Sequence, residues 1–326
     1  MTVLHDSYAR NLTYLRISLT DRCNFRCVYC MPPEGIKLLP RAEVLTLEEI
    51  ERLARIFVSL GVNKIRLTGG EPLLRKRIVY LVSSLSRFDG LRELGLTTNG
   101  SFLADLAFPL KEAGLNTVNV SLDSLNRERF ARITLRDELP EVLSGVTRAL
   151  EAGLAVKINA VALSDLTRDE VVHFCRLAQN YPLEVRFLEF MPLCGTGYKP
   201  ELVAPFKGIK SWVFDEMDLV PLPRDENVAE TYQVKDGPGR IGFIASMSEP
   251  FCGTCTRLRL TSTGGLRLCL FSPLEIDLRT PLRSGAADDE IADLIRKGVW
   301  KKPKGHEEYL GKTQYRELPK IRMLGG

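Results

Sequence analysis

No stretch of this 326-residue chain is apolar over the roughly 18 residues that a membrane-spanning helix requires. The opening residues, Met1 to Asn11, are polar and lack the apolar centre of an export signal, so a cytoplasmic protein is expected. Histidine is scarce, with only His5, His173 and His306, and none is close in sequence to a cysteine group. There is no low-complexity segment and no internal repeat with a sharp period. With 44% apolar and 26% charged residues the chain can bury a sizeable core, which excludes wholesale disorder and fibrous folds. Its length suits two domains, or one large α/β domain with an appendage.

A general basic excess is also missing. The net charge of +4 is concentrated at the C-terminus, where residues 296–326 carry nine Lys or Arg against three Glu. The rest holds 36 basic and 38 acidic residues, so the body offers no nucleic-acid surface. An anion site inside it must be built from a few placed cations.

Apolar periodicity alternates between strand and helix spacing. Strands are expected at Leu15–Thr20, Lys64–Thr68, Glu93–Thr98, Thr117–Asp123, Val156–Leu163 and Glu184–Met191. Helices are expected near Leu47–Leu60, Ile78–Ser86, Leu103–Ala113, Glu141–Ala152 and Asp169–Gln179. Thr46 and Glu49 form a capping box for the first helix, and Gly61, Gly90, Gly114 and Gly153 serve as helix stops.

Strand alternation separates two faces. Leu15, Ile17, Ile65, Leu67, Leu94, Leu96, Val118, Val120, Ile158 and Ala160 fall on one. Arg16, Ser18, Lys64, Arg66, Thr97, Asn119, Ser121, Lys157 and Asn159 fall on the other. A sheet covered on both sides would read as continuous apolar runs. An α/β partial barrel of six βα units, helices outside and a polar interior, accounts for the pattern better. In the sixth strand Glu189 and Met191 share a face that Arg186 does not, which a bulge could reconcile.

After Pro192 the chain becomes rich in Pro and Gly. A hairpin is expected from Arg257–Thr261 and Leu266–Leu270, with Leu258, Leu260, Leu266, Leu268 and Leu270 buried. That register sets Arg259 opposite Cys269 and Thr261 opposite Arg267, with Arg257, Arg259 and Arg267 on the cysteine face.

Eight cysteines without an export signal argue for ligands or structural thiols. Cys175 lies on a helical pattern and reads as a core thiol, and Cys194 is not expected to be a ligand. The other six form two groups. Cys23, Cys27 and Cys30 follow the first strand, where barrel active sites form. Three thiolates in one loop can hold three irons of a [4Fe–4S] cube and leave the fourth open. Cys252, Cys255 and Cys269 repeat that count, but by spacing alone they also suit a zinc site completed by His306 or Cys194.

The run Ser18-Leu19-Thr20-Asp21-Arg22-Cys23-Asn24-Phe25-Arg26-Cys27-Val28-Tyr29-Cys30-Met31-Pro32 resembles the cluster loop of radical S-adenosylmethionine (SAM) enzymes. Thr68-Gly69-Gly70-Glu71-Pro72 resembles their methionine-contacting motif. The second group, Cys252-Gly253-Thr254-Cys255-Thr256-Arg257-Leu258-Arg259-Leu260 with Cys269-Leu270-Phe271-Ser272, is similar to one branch of them. That branch is the molybdenum cofactor biosynthesis protein A family of GTP 3′,8-cyclases, whose closing Gly-Gly is matched by Gly325-Gly326.

The resemblance implies a partial (βα)6 TIM-type barrel over residues 1–192 and a C-terminal auxiliary [4Fe–4S] region over 193–326. It implies two [4Fe–4S] clusters and SAM as cofactors, with Cys23, Cys27, Cys30, Cys252, Cys255 and Cys269 as iron ligands. Tyr29, Gly70, Ser121 and Met191 would contact SAM. Arg16, Arg66, Thr97, Lys157, Arg257, Leu258 and Arg259 would contact GTP, with Lys64 and Arg186 as further candidates. Arg16, Arg257 and Arg259 would carry the catalytic charge, and the Gly-Gly tail would enter the site. In such enzymes a 5′-deoxyadenosyl radical takes hydrogen from C3′ of GTP, and C3′ then adds to guanine C8. The product, 3′,8-cyclo-7,8-dihydro-GTP, passes to cyclic pyranopterin monophosphate synthase. An external one-electron donor is implied, and dimers are usual; no nucleic-acid or membrane partner is expected. The alternatives are a peptide-modifying radical SAM enzyme and a zinc-stabilised interaction module with a basic surface.

Overall fold

The computed structural model describes residues 3–193, 199–223 and 228–310. Cys194 and Gly325-Gly326 lie outside these residues. The six expected strands are present as β1 (Tyr14–Ser18), β2 (Lys64–Thr68), β3 (Glu93–Thr98), β4 (Thr117–Ser121), β5 (Ala155–Ala162) and β6 (Glu184–Glu189). The expected helices are α1 (Leu47–Ser59), α2 (Ile78–Leu85), α3 (Leu103–Glu112), α5 (Leu139–Glu151) and α6 (Arg168–Asn180). Between α3 and α5 lies α4 (Arg127–Thr134), which sequence reading missed. It is short and nearly all polar outside Phe130 and Ile133, so its apolar period is weak.

Local chemistry accounts for the element ends. The Thr46 side chain accepts from the Glu49 amide while Glu49 accepts from the Thr46 amide, closing the expected capping box. Gly61, Gly90, Gly114 and Gly153 all take positive φ after their helices, at 98°, 94°, 100° and 73°.

Residues beyond Pro192 do not merely append to this unit. They form α7 (Phe206–Glu216), β7 (Leu219–Pro221), β8 (Glu230–Val234), β9 (Arg240–Ile244), β10 (Arg257–Leu260), β11 (Gly265–Arg267), β12 (Ile276–Asp277), α8 (Arg279–Arg283), α9 (Asp288–Val299) and α10 (Glu307–Leu310). The sheet runs β12-β11-β10-β1-β2-β3-β4-β5-β6-β9-β8-β7 and does not close. β9 pairs parallel with β6, and β10 pairs parallel with β1. The six expected parallel strands are therefore eight, with antiparallel strands at both edges. The partial barrel stands, and the later strands widen it on both sides.

The outer face of the parallel strands is the core. Leu15, Ile17, Ile65, Leu67, Leu94, Leu96, Val118, Val120, Val185, Phe187, Leu258 and Leu260 are all at most 1% exposed. Each such side chain contributes about 1.5–3 kcal/mol by leaving water, which fixes the register of every strand. The same registry turns Arg16, Arg66 and Arg259 inward side by side, since Arg16 pairs with Arg66 on one flank and Arg259 on the other.

Two register expectations need correction. Arg259 sits opposite Arg267 and Leu260 opposite Leu266, two residues out from the expected pairing. Five residues, 261–265, lie between Leu260 and Leu266, the same odd number that the expected pairing of Thr261 with Arg267 encloses; the turn is centred one residue earlier, on Thr263 instead of Gly264. Thr261 accepts from the Gly265 amide and Gly264 takes a φ of 86°, which fits the turn at this place. Arg267 then turns away from the cavity to Glu275, at 2.7 Å, and to the Ser272 carbonyl. In β6 there is no bulge, because its ladder with β5 is unbroken from Glu184 to Glu189. Arg186, Leu188, Glu189 and Met191 all line the cavity, Glu189 at the last paired position of the strand and Met191 beyond it.

Candidate active site

The two cysteine groups flank opposite ends of adjacent parallel strands. Cys23, Cys27 and Cys30 follow the C-terminal end of β1, whereas Cys252 and Cys255 precede the N-terminal end of β10 and Cys269 follows β11. β1 spans about 13 Å between those ends. A cavity runs from the second group along the inward face of the sheet, lined by Cys252, Cys255 and Cys269 and by Arg16, Lys64, Arg66, Lys157, Arg186, Arg257, Arg259 and Lys302; Cys23, Cys27 and Cys30 are not among its lining residues. Eight cations thus face it. Glu189 is the one lining carboxylate among the described residues, and its oxygen is turned to the amides of Met247 and Ser248.

Behind the cations stand two carboxylates. Glu184 bridges Arg186 at 2.5 Å and Lys157 at 3.2 Å. Glu93 bridges Lys64 at 2.7 Å and Arg66 at 3.1 Å. Burial opposes ionisation of both, but these cations hold both below the usual glutamate range. The Arg66 guanidinium also donates to Tyr14 Oη, the Leu96 carbonyl, Asn119 Oδ1 and Thr117 Oγ1. It lies flat over Gly95, where a Cβ would come within 2.8 Å of its central carbon.

On the other flank burial and mutual repulsion dominate. Burial and neighbouring guanidinium groups lower Arg259 to about 9 and Arg16 to about 10. Burial opposes ionisation of Tyr14, yet Arg66, Arg16 and Lys64 outweigh it and bring the phenol to about 7. Such a wall accepts an anion with several charges.

At the first group, the Cys loop and the Gly69-Gly70 turn press together. The Gly70 and Glu71 amides donate to the carbonyls of Thr20 and Arg22, each at 2.7 Å. Tyr29 donates to Asp123 Oδ2 at 2.5 Å and packs edge-on to Phe190. Burial, then the neighbouring Cys30, Asp123 and Cys23, push the Cys27 thiol up. At the second group burial works the same way on Cys255, but Arg257 and Lys302 overcome it and bring the thiol to about 6.

The residues fit iron–sulfur clusters and an added small molecule. Ser18 Oγ, Thr97 Oγ1 and Asn159 Oδ1 are buried on the inward face without a hydrogen-bond partner, which is costly unless a ligand meets them. Among the described residues no three His, Cys, Asp or Glu side chains converge on a single-ion position. A cube spreads its thiolates over separate irons, so it needs the wider spacing. His306, remote in sequence from every cysteine, in fact packs on Phe271 with Nδ1 3.2 Å from Cys252 Sγ.

Met191 lines the cavity, and Ser121 ends the inward face of β4 opposite Asn159. Leu258 is different: its side chain is fully buried in the core, and the residue is not among those that line the cavity. Cys175 is fully buried as a core thiol. Sequence reading named His306 beside the second cysteine group but missed Tyr14, Glu93, Glu184 and Lys302. Extending the first strand by one residue would have put Tyr14 in line with Arg16; the others carry no local signal.

Residues 17–178 match the model of the Radical SAM superfamily, and 183–308 match Molybdenum Cofactor Synthesis C. A relative named GTP 3′,8-cyclase, from Pelotomaculum thermopropionicum, is 46% identical over 323 residues, covering 98% of this chain and 99% of its own. The chain belongs to the GTP 3′,8-cyclase family of radical SAM proteins. The relative of that name from Moorella thermoacetica is 44% identical over 98% of this chain and 99% of its own. Human molybdenum cofactor biosynthesis protein 1 is 43% identical over 98% of this chain. The chain spans about half the length of that protein and of its cattle and fruit-fly counterparts, at 50%, 51% and 54%.

In fold, this family member matches the structure titled native anSMEcpe with bound AdoMet, with a TM-score of 0.62 over 96% of this chain and 88% of that one at 15% identity. Streptococcus suis SuiB bound to precursor peptide SuiA gives 0.62 over 97% and 77%, also at 15%. Among the described residues no helix is long and apolar enough to cross a membrane.

Proposed function

We propose that this chain converts GTP to 3′,8-cyclo-7,8-dihydro-GTP in molybdenum cofactor synthesis. The observation that carries the reading is the eight-cation cavity that opens on the second cysteine triad, beside a strand whose far end carries the first. Cys23, Cys27 and Cys30 would hold one [4Fe–4S] cluster, with SAM bounded by Tyr29, Gly70, Ser121 and Met191. Cys252, Cys255 and Cys269 would hold a second and leave one iron without a protein ligand, open to the guanine base. When bound, the first cluster and SAM supply a 5′-deoxyadenosyl radical.

The chain's own part is to place GTP and exclude water. Arg16, Arg257 and Arg259 neutralise triphosphate charge, and a bound anion relieves their mutual repulsion. Arg66 and Lys157, held by Glu93 and Glu184, border the same anion, with Thr97 and the Leu258 backbone as neutral contacts. The hydrogen atom at C3′ of GTP would pass to the 5′-deoxyadenosyl radical to give 5′-deoxyadenosine, C3′ would bond to guanine C8, and one further electron from the external donor with one proton would complete the 7,8-dihydro ring. Residues 1–192 would form the radical SAM half and 193–326 the auxiliary-cluster half. The product would pass to cyclic pyranopterin monophosphate synthase, the electron would come from an external one-electron donor, and the enzyme would act as a homodimer.

Anaerobic reconstitution is expected to give about eight irons per chain. With GTP deuterated at C3′, the label is expected in 5′-deoxyadenosine. A protein with one zinc and no iron, or label retained in the nucleotide, would refute the reading.

GTP affinity is also expected to depend on Tyr14. As pH rises through about 7 this phenol becomes an anion inside the triphosphate wall. Binding therefore weakens above neutrality, and Tyr14→Phe flattens that limb. Equilibrium binding of GTP between pH 6 and 9, roughly two units above and one below that midpoint, checks it. An identical profile in the variant would exclude Tyr14 as the titrating group.

A further inference from the structure

We propose that the Lys302 ammonium is the fixed counter-charge of the second cluster, locking its Cys255 and Cys269 arms together and raising its reduction potential. This rests on the assignment of Cys252, Cys255 and Cys269 as cluster ligands made above.

Lys302 is 4% exposed. Its Nζ donates to the Arg257 carbonyl at 2.9 Å and to the Leu268 carbonyl. Among the described residues it forms no ion pair with a carboxylate. A buried ammonium held only by carbonyl dipoles is expensive, because two neutral acceptors do not replace its hydration. It therefore calls for an anion. The nearest source is set by the acceptors themselves. The Leu268 carbonyl belongs to the peptide that enters Cys269, and the Arg257 carbonyl lies two residues past Cys255. One side chain thus bridges the two chain segments that present these thiols to the cavity, which Lys302 also lines.

The cation is also rigidly placed. The Lys302 amide bonds back to Val299 at the end of α9. The next two carbonyls, of Pro303 and Lys304, are gripped by Arg10 at 2.5 and 2.9 Å. The same guanidinium holds the Cys252 carbonyl at 2.8 Å and pairs with buried Asp6 at 2.6 Å. Lys302 and the Cys252 loop therefore share one anchor, and the distance from ammonium to triad is set by the fold.

A fixed positive charge beside a cluster favours the state with one more electron, and more so where water is excluded. Lys302→Gln keeps an N–H donor and removes the charge; Lys302→Arg keeps the charge. The test is an anaerobic redox titration of the reconstituted full-length enzyme, with each cluster followed by its EPR signal and iron counted per chain. Lys302→Gln is expected to shift the second cluster's midpoint to more negative potential, leave the first unchanged, and be rescued by Lys302→Arg. Loss of about half the iron in Lys302→Gln but not in Lys302→Arg is the stronger form of the same result.

An unmoved midpoint with full iron would overturn the proposal, as would an equal shift in Lys302→Arg. Lys302→Met, of similar length, stands in if the Gln variant does not fold. Failure of both neutral variants to fold, with Lys302→Arg folding normally, would assign the charge to the polypeptide fold and also overturn it. About four irons and one signal in the wild-type protein would remove the second cluster itself, a failure of the ligand assignment that precedes any variant.

Discussion

Replacing Arg259 by Met is expected to cut GTP turnover sharply while making the cluster-free protein more stable. The two effects have one cause. Arg259 is 5% exposed and lies beside Arg16 across the β1–β10 ladder. Burial, then Arg16 and Arg257, lower its pKa from the usual arginine range to about 9. The folded state thus binds this proton more weakly than the unfolded chain. The penalty is fully present below pH 9 and is relieved as pH rises from there toward the ordinary arginine value. Its size at neutral pH is on the order of a few kcal/mol.

Met keeps most of the volume and removes the penalty, so the melting temperature at pH 7–8 should rise by several degrees. Turnover goes the other way, because a triphosphate loses a buried charge contact. Removing one partner of such a pair costs about 2–5 kcal/mol, or roughly 30- to 5,000-fold in kcat/KM. Thermal unfolding of the cluster-free chain and steady-state assays of the loaded enzyme measure the two arms. Normal turnover would take Arg259 out of the triphosphate wall. A lower melting temperature would mean that its neighbours do not repel it.

Gly70→Ala is expected to empty the first cluster site. A Cβ on Gly70 would meet the Arg22 carbonyl oxygen at 2.2 Å, its carbon at 2.6 Å and the Asp21 carbon at 3.1 Å. All three are backbone atoms of the cysteine loop, so no side chain can swing aside. Gly69 adds a φ of 146° and the same crowding against Thr20. The methyl must push the loop that carries Cys23 away from β2, at a cost of about 1–3 kcal/mol or more. Iron is expected to fall from about eight to about four per chain, and SAM binding with it. Iron analysis and SAM equilibrium binding decide between two roles for Gly70. Full iron with weakened SAM binding would make it a cofactor contact alone. Loss of both makes it first a spacer between two loops.

Much of this arrangement is written locally. Period-two alternation in β1 to β5 separated the core face from a polar interior, and Arg16, Arg66 and Lys157 fell on the correct side without any structure. The capping box at Thr46 and the glycine stops are also local, and they appear where expected. The hairpin register failed by two residues because alternation fixes only parity; where the turn is centred was settled by Thr261 and Gly264. The α7 helix was missed because its surroundings read as Pro- and Gly-rich loop.

The sequence by itself determined the chemistry on offer: six thiols in two spaced triads, and basic side chains repeating in phase on one strand face. Both follow from spacing along a single element, where neighbours in space are neighbours in sequence. Only the tertiary structure decided that β10 would lie parallel against β1, which sets the two triads at opposite ends of adjacent strands. It alone brought Lys302 to Arg257 and Leu268, and Arg10 to Cys252, across separations of 34 to 242 residues. Contacts of that kind arise from burial of the whole sheet, and no short window of sequence holds both partners.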